Sequence, residues 1–216
     1  GPWTKEEIKT SPLYELNNPT GVKKTSDNWD GETPSDNKEF TGFSNPIYGY
    51  RASARIISKY GDGTSINAKG VNVSDVTGII TLWLGGKIKK DGIEQPPEKE
   101  GNVEDYVAKI TQISGGDITG ESQIQTAEDL KGLLFAMTAV EMGGYAPYGE
   151  ITMSFISSGI EDSGNWNKTA PFPINETVPL PRLRPDLNPS MLTRPGTLDG
   201  SRRMPEGMLF QSGMLR

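Results

Sequence analysis

The chain changes character at Thr169, and that change limits what each part can build. Residues 1–169 carry sixteen Lys and Arg against twenty-four Asp and Glu, a balance of −8. Residues 170–216 carry six Arg, no Lys and four acids, a balance of +2, together with eight of the sixteen prolines. Proline fixes its own φ, removes an amide donor and disfavours helix in the residue before it. A segment interrupted this often favours extended or polyproline II backbone over a packed core. Hydrophobic residues are 33% of the whole chain, below the roughly 45–50% of ordinary globular sequences, glycine included. The shortfall fits a folded domain followed by an extended Pro-rich tail that has no core, and the helical spacing of its apolar positions makes that domain mainly α.

The tail is more than a polar linker. Met-Leu recurs in it as Met191-Leu192, Met208-Leu209 and Met214-Leu215, with Phe210 beside the second pair and Arg182, Arg184 and Arg194 between prolines. Two readings stand at this level: a tail with no fixed partner, or a strap whose apolar anchors enter pockets while its arginines meet acidic surface. The boundaries that follow are an N-terminal extension over 1–12, an acidic domain over 13–169 and a docking tail over 170–216.

Within the acidic domain the apolar positions recur at helical spacing. Asn45 reads as an N-cap with Pro46 at the first helical position, opening a helix whose Ile47, Tyr50, Ala54 and Ile57 share a face up to Gly61. A second helix is predicted over about Val73 to Leu84, stopped by Gly85-Gly86. Asn102 caps a third, with Val103, Tyr106, Ile110 and Ile113 inward, ending at Gly115-Gly116. Thr126 and Asp129 form a capping-box pattern for a fourth, striped by Leu130, Leu133, Leu134, Met137 and Val140. Residues 151–156 fit a short helix or a strand equally well, and 22–43 suit a loop or a small hairpin.

Cys and His are absent. Disulfides, thiol nucleophiles, imidazole bases and the usual zinc sites are thereby excluded, and the sequence calls for no cofactor or metal. A net charge of −6 speaks against an overall grip on nucleic acid, which runs on clustered Lys and Arg. No apolar run reaches the roughly 20 residues of a membrane-spanning helix. The start, Gly1-Pro2-Trp3, reads as a processed or trimmed end. Weak signals remain: Leu84-Gly85-Gly86-Lys87 lacks P-loop spacing, and Asp27, Asp30, Glu32, Asp36 and Glu39 miss the EF-hand order.

One carboxylate falls on an apolar face. Positions 133, 134, 137, 140 and 141 form one stripe, so Glu141 ends the buried side of the fourth helix just before Gly143-Gly144. Desolvation there raises a carboxyl pKa, and a protonated carboxyl near neutral pH is what a glycosidase general acid requires. The plain alternative is a half-exposed Glu at a fraying helix end. Asn17 and Asn18, ahead of Pro19, suit a tight turn bonding backbone locally, or a turn lining a sugar cleft. Glu15 beside them supplies a second carboxylate, and Tyr145 and Tyr148 follow Glu141 as further cleft-lining candidates.

In this order the residues resemble a family of phage and prophage virion structural proteins with a lysozyme-like, peptidoglycan-hydrolase-related domain. That family opens with N-N-N-P-G-N-I, continues through "F-S-P-x-x-G-x-R-A-x-A-R-L-L" and "W-A-P-P…E-N-D-T-x-x-Y", and ends a late helix near "H-E-N-G" before Pro-Tyr. Here the matches are Asn17-Asn18-Pro19-Thr20-Gly21-Val22, Phe40 to Ile57, Trp83, Pro96-Pro97-Glu98, Glu100 to Tyr106, and Glu141-Met142-Gly143-Gly144 before Pro147-Tyr148. The opening carries an inserted residue and lacks the second amide, Val140 stands where the family has His, and Gly86 to Gln95 is an insertion.

The resemblance implies a lysozyme-like α+β domain over about residues 13–160. It implies a structural component of a tailed-phage virion, located at the tail, near the portal or in an internal core. Partners would be other virion proteins and copies of this chain, engaged through the tail. The alternative it implies is a virion-associated muralytic glycosidase or lytic transglycosylase that cuts peptidoglycan during genome delivery, with Glu141 as general acid and Glu15 or the substrate's own N-acetyl group stabilising the developing cation.

Overall fold

The fourth predicted helix proves to be the axis of the molecule. In a computed structural model, which describes residues 4–97, 102–144 and 146–166, the chain forms seven α-helices and two small hairpins among those residues. The helices are α1 (Lys5–Thr10), α2 (Pro12–Glu15), α3 (Pro46–Asp62), α4 (Val76–Trp83), α5 (Asn102–Ile113), α6 (Ala127–Glu141) and α7 (Thr152–Ser163). The strands are β1 (Glu32–Thr33), β2 (Gly42–Phe43), β3 (Lys87–Lys89) and β4 (Gly92–Gln95). About half of the described residues are helical and few are in strands, so the described part of the fold is mainly α. None of the described helices is long and apolar enough to cross a membrane.

Local chemistry sets the helix starts. The Asn45 side chain accepts from the Ile47 amide, with Pro46 at the first helical position. Thr126 and Asp129 close the reciprocal capping box at α6, a device worth about 1 kcal/mol through its satisfied amides. Asp75 caps α4 by accepting from Gly78, so that helix begins at Val76 rather than Val73. Residues 151–156 resolve as helix: a 3₁₀ turn over Gly149–Ile151 leads directly into α7.

Burial identifies the centre. Twelve of the fifteen residues of α6 are buried, among them Lys131, Thr138 and Glu141, the signature of a helix covered all round. It packs against α5, α7 and α3, while α3 and α7 lie along each other. The α3–α7 approach is close because Gly159 has no side chain: a Cβ there would stand 2.6 Å from Tyr50 Cβ and 2.8 Å from the Arg51 nitrogen. Tyr50 then reaches α6, its hydroxyl 2.9 Å from Thr138 Oγ1.

The N-terminal residues fold back onto this frame. Ile8 of α1 and Leu13 of α2 make a separate small cluster with Phe40 and Met142, so Ile8, ahead of residue 13, packs on the domain while Lys9, Thr10 and Pro12 stay exposed. β1 and β2 pair antiparallel, and Lys23 bridges to Phe40. The 86–95 insertion is the β3–β4 hairpin. At the far end, the Trp166 indole N–H donates to the Ala54 carbonyl at 2.9 Å across 112 residues, fixing the last described residues against α3.

Candidate functional site

Glu141 sits at the last position of α6 and is 0% exposed. Its Oε1 accepts from the Tyr106 hydroxyl at 3.2 Å, and Tyr106 on α5 is equally buried. A carboxylate in the last turn of a helix also faces the negative end of the helix dipole, an unfavourable placement of roughly 0.3–1 kcal/mol. Burial and dipole both oppose a charge here, so the phenol bond works against a real cost. Behind Glu141 the chain turns on Gly143 and Gly144, with φ of 68° and 97°, conformations that glycine adopts without strain. The Gly144 amide closes this turn onto the Ala139 carbonyl.

The Asn17–Asn18 turn lies against α3. Asn17 adopts φ 51°, and its side chain donates to the Phe43 carbonyl at 2.9 Å. Asn18 is fully buried and donates to the carbonyls of Val22 and Thr41, both at 2.8 Å, while its Oδ1 accepts from the Val22 amide at 2.7 Å. The two carboxamides thus hold the loop to β2 and to the strand-like segment before it. Gly49 permits the approach, since a Cβ there would meet the Asn17 carbonyl oxygen at 2.8 Å.

Glu15 lies on the solvent side of α2, exposed, while Leu13 and Tyr14 just before it turn inward. Tyr148 is half-buried and stacks on Tyr14 with ring centroids 5.6 Å apart, and its other neighbour, Phe155, meets it edge-on at 5.4 Å. Burial pushes the Tyr148 phenol well above its ordinary pKa, with Tyr50 and Tyr14 nearby adding to the shift. The structure therefore gathers α2, the loop after α6 and the start of α7 around the end of α6. Tyr145 lies outside the described residues. So do the docking candidates Arg182, Arg184, Met191, Leu192, Arg194, Met208, Leu209, Phe210, Met214 and Leu215.

No family model matches the chain. It is similar to a phage protein. Over 144 residues it is 28% identical to protein P5 of Pseudoalteromonas phage PM2, an alignment that takes in 64% of this chain and 76% of that protein. This likeness is consistent with a place in the virion.

Two contributors were not legible as site residues. Tyr106 reads as core on its helical stripe, and nothing in one sequence pairs it with a residue 35 positions on. Tyr14 reads as part of a polar run, yet its ring is the partner of Tyr148. The signal available was chemical: a Glu on an apolar face demands a buried donor, and tyrosine is one of the few apolar-bodied side chains that supplies one.

Proposed function

We propose that this chain is a structural component of a phage virion, with a lysozyme-like helical domain and a Pro- and Arg-rich tail that docks on neighbouring subunits, sister copies among them. The observation that carries the reading is the 28% identity to a phage PM2 protein across 76% of its length. The charge asymmetry supports the docking half of it, because a tail of balance +2 leaves a domain of balance −8 and opposite charges steer subunits together. Tagged chain expressed during an infection and followed through density-purified particles tests this. It should co-purify at a fixed copy number and lose incorporation when residues 170–216 are deleted. Full-length chain left wholly in the soluble fraction overturns the reading.

A second reading has one observation in its favour. Glu141, buried at the end of α6 and bonded by Tyr106, has the setting of a carboxyl kept for proton transfer, and chemistry on a glycosidic bond needs neither Cys nor His. Because Glu141 is 0% exposed, substrate would reach it only if the surrounding structure opened. Glu141→Gln should then lower lysis of purified peptidoglycan about 10²–10⁴-fold. An unchanged rate removes Glu141 from any such mechanism.

A further inference from the structure

Three large apolar side chains are exposed among the described residues: Ile66 at 89%, Ile93 at 56% and Ile151 at 47%. Two of them lie on adjoining segments. Ile93 of β4 pairs across the ladder with Ile88 of β3, and the Ile88 amide donates to the Asn67 carbonyl at 2.8 Å. The backbone next to Ile66 therefore runs beside β3. Ile88 packs on the core, while Ile66 and Ile93 stand out from it. Lys87, Lys89 and Lys90 project from the same hairpin and Lys69 from the adjoining loop, all exposed; Asp91 and Glu94 are the acids in the hairpin. Two exposed isoleucines on segments that carry four exposed lysines are an anomaly on a domain whose balance is −8.

The opposite surface sits at the other end of α3. Residues 23–39 carry Asp27, Asp30, Glu32, Asp36 and Glu39 against Lys23, Lys24 and Lys38, a balance of −2, with Lys23 reaching Glu39 at 3.9 Å and Lys24 donating to the Ser35 carbonyl. That loop is tied to the start of α3: the Ser44 amide donates to the Gly31 carbonyl, and Asp30 pairs with Arg51 at 2.7 Å. The basic hairpin is tied, through Asn67, to the loop that follows the last residue of α3. At 1.5 Å per residue, the 17 residues of α3 separate these surfaces by about 25 Å. They cannot meet within one molecule, but they can meet between two.

We propose that the β3–β4 hairpin, with Ile66, is a docking surface for the acidic 27–39 loop of a second copy of this chain, joining copies head to tail. The contact is heterologous, so it builds rings or open filaments rather than a closed two-fold dimer. It acts independently of the C-terminal tail. Anionic lipid or a nucleic-acid duplex would also attract lysines, but each presents a dense, extended negative surface to which the rest of an acidic domain is repelled. A second copy presents its acidic loop locally, within the roughly 8 Å Debye length over which charges act at physiological salt.

The test is sedimentation velocity on the full chain at rising concentration, at low and high salt. The wild type should associate at low salt and disperse at high salt. Lys89→Glu/Lys90→Glu should weaken association about tenfold or more, and so should Asp27→Lys/Asp36→Lys, because each variant sets like charges against each other at the contact. Mixing the two variants should restore association, since each hairpin then faces a loop of opposite sign. Thermal melts matching the wild type show that the variants fold. A wild type that stays monomeric overturns the proposal, as does association that survives in either variant or is not restored by mixing. A monomer that binds anionic phosphatidylglycerol vesicles or duplex DNA through these lysines overturns it equally and identifies the other partner class.

Discussion

At the scale of single residues, the buried hydroxyls divide by whether they have a partner. The Tyr106 hydroxyl donates to Glu141 in a place closed to water. Losing a bond to a buried carboxyl leaves part of its desolvation cost unmet, so Tyr106→Phe should cost about 1–3 kcal/mol. Urea denaturation followed by circular dichroism measures this, and a midpoint equal to the wild type would mean the bond contributes nothing. Tyr50 and Tyr148 make a sharper contrast. Tyr50 shares a bond with Thr138 at 2.9 Å, and Thr138 passes it on to the Leu134 carbonyl at 2.7 Å. The Tyr148 hydroxyl is buried with no hydrogen-bond partner among the described residues. Tyr50→Phe should therefore destabilise by about 1 kcal/mol, while Tyr148→Phe should be neutral or stabilising because it removes an unmet polar group. The same melts report both, and destabilisation by Tyr148→Phe as large as that by Tyr50→Phe would contradict the assignment.

At the scale of elements, the closest constraint is the α3–α7 crossing. Gly159→Ala would place a methyl 2.8 Å from the Ile47 carbonyl oxygen and 2.6 Å from Tyr50 Cβ, and helix backbone cannot yield as a side-chain tip does. Overpacking of this kind costs about 1–3 kcal/mol, readable as a lowered melting temperature, whereas Gly132→Ala, with its nearest neighbour a side-chain methyl at 3.4 Å, should change little. What was legible in the sequence follows the same division between local and distant causes. Asn45-Pro46 and Thr126…Asp129 announced their helices because a cap is made by residues two or three apart. Glu141 was legible as a carboxylate on a buried stripe because helical periodicity is also local. α1 and α2 leave no mark in the sequence: each is too short for a periodic signal, and each is held by Phe40 and Met142 from far along the chain. Spacing leaves the Asn17–Asn18 turn open between two roles, because its partners at Val22, Thr41 and Phe43 are contacts that spacing alone does not reveal. The insertion became a hairpin whose lysines and isoleucine carry a surface that no motif marks.

At the scale of the whole molecule, the buried phenols couple stability to alkaline pH. Burial raises the pKa of Tyr50 above its ordinary value of 10, against the lowering by its Thr138 bond. Burial does the same to Tyr148, with help from Tyr50 and Tyr14. In both cases the folded state holds its proton more tightly than the unfolded chain does. The contribution is complete below the unfolded value near 10 and is lost as pH rises toward the raised folded values. Lys131 acts in the other sense: burial lowers its pKa from 10.5, against Glu128, which raises it. Its folded value lies below the unfolded one, so its charged form costs stability at neutral pH, and that cost is relieved as pH climbs toward 10.5. Two raised phenols against one lowered amine predict a melting temperature that declines from about pH 10 upward. Tyr148→Phe should make that decline shallower without lowering the melting temperature at neutral pH, and Lys131→Met should make it steeper by removing the opposing term. A decline that Tyr148→Phe leaves unaltered would show that this phenol does not titrate with unfolding, and would move the alkaline sensitivity to Tyr50, at the junction of α3 and α6.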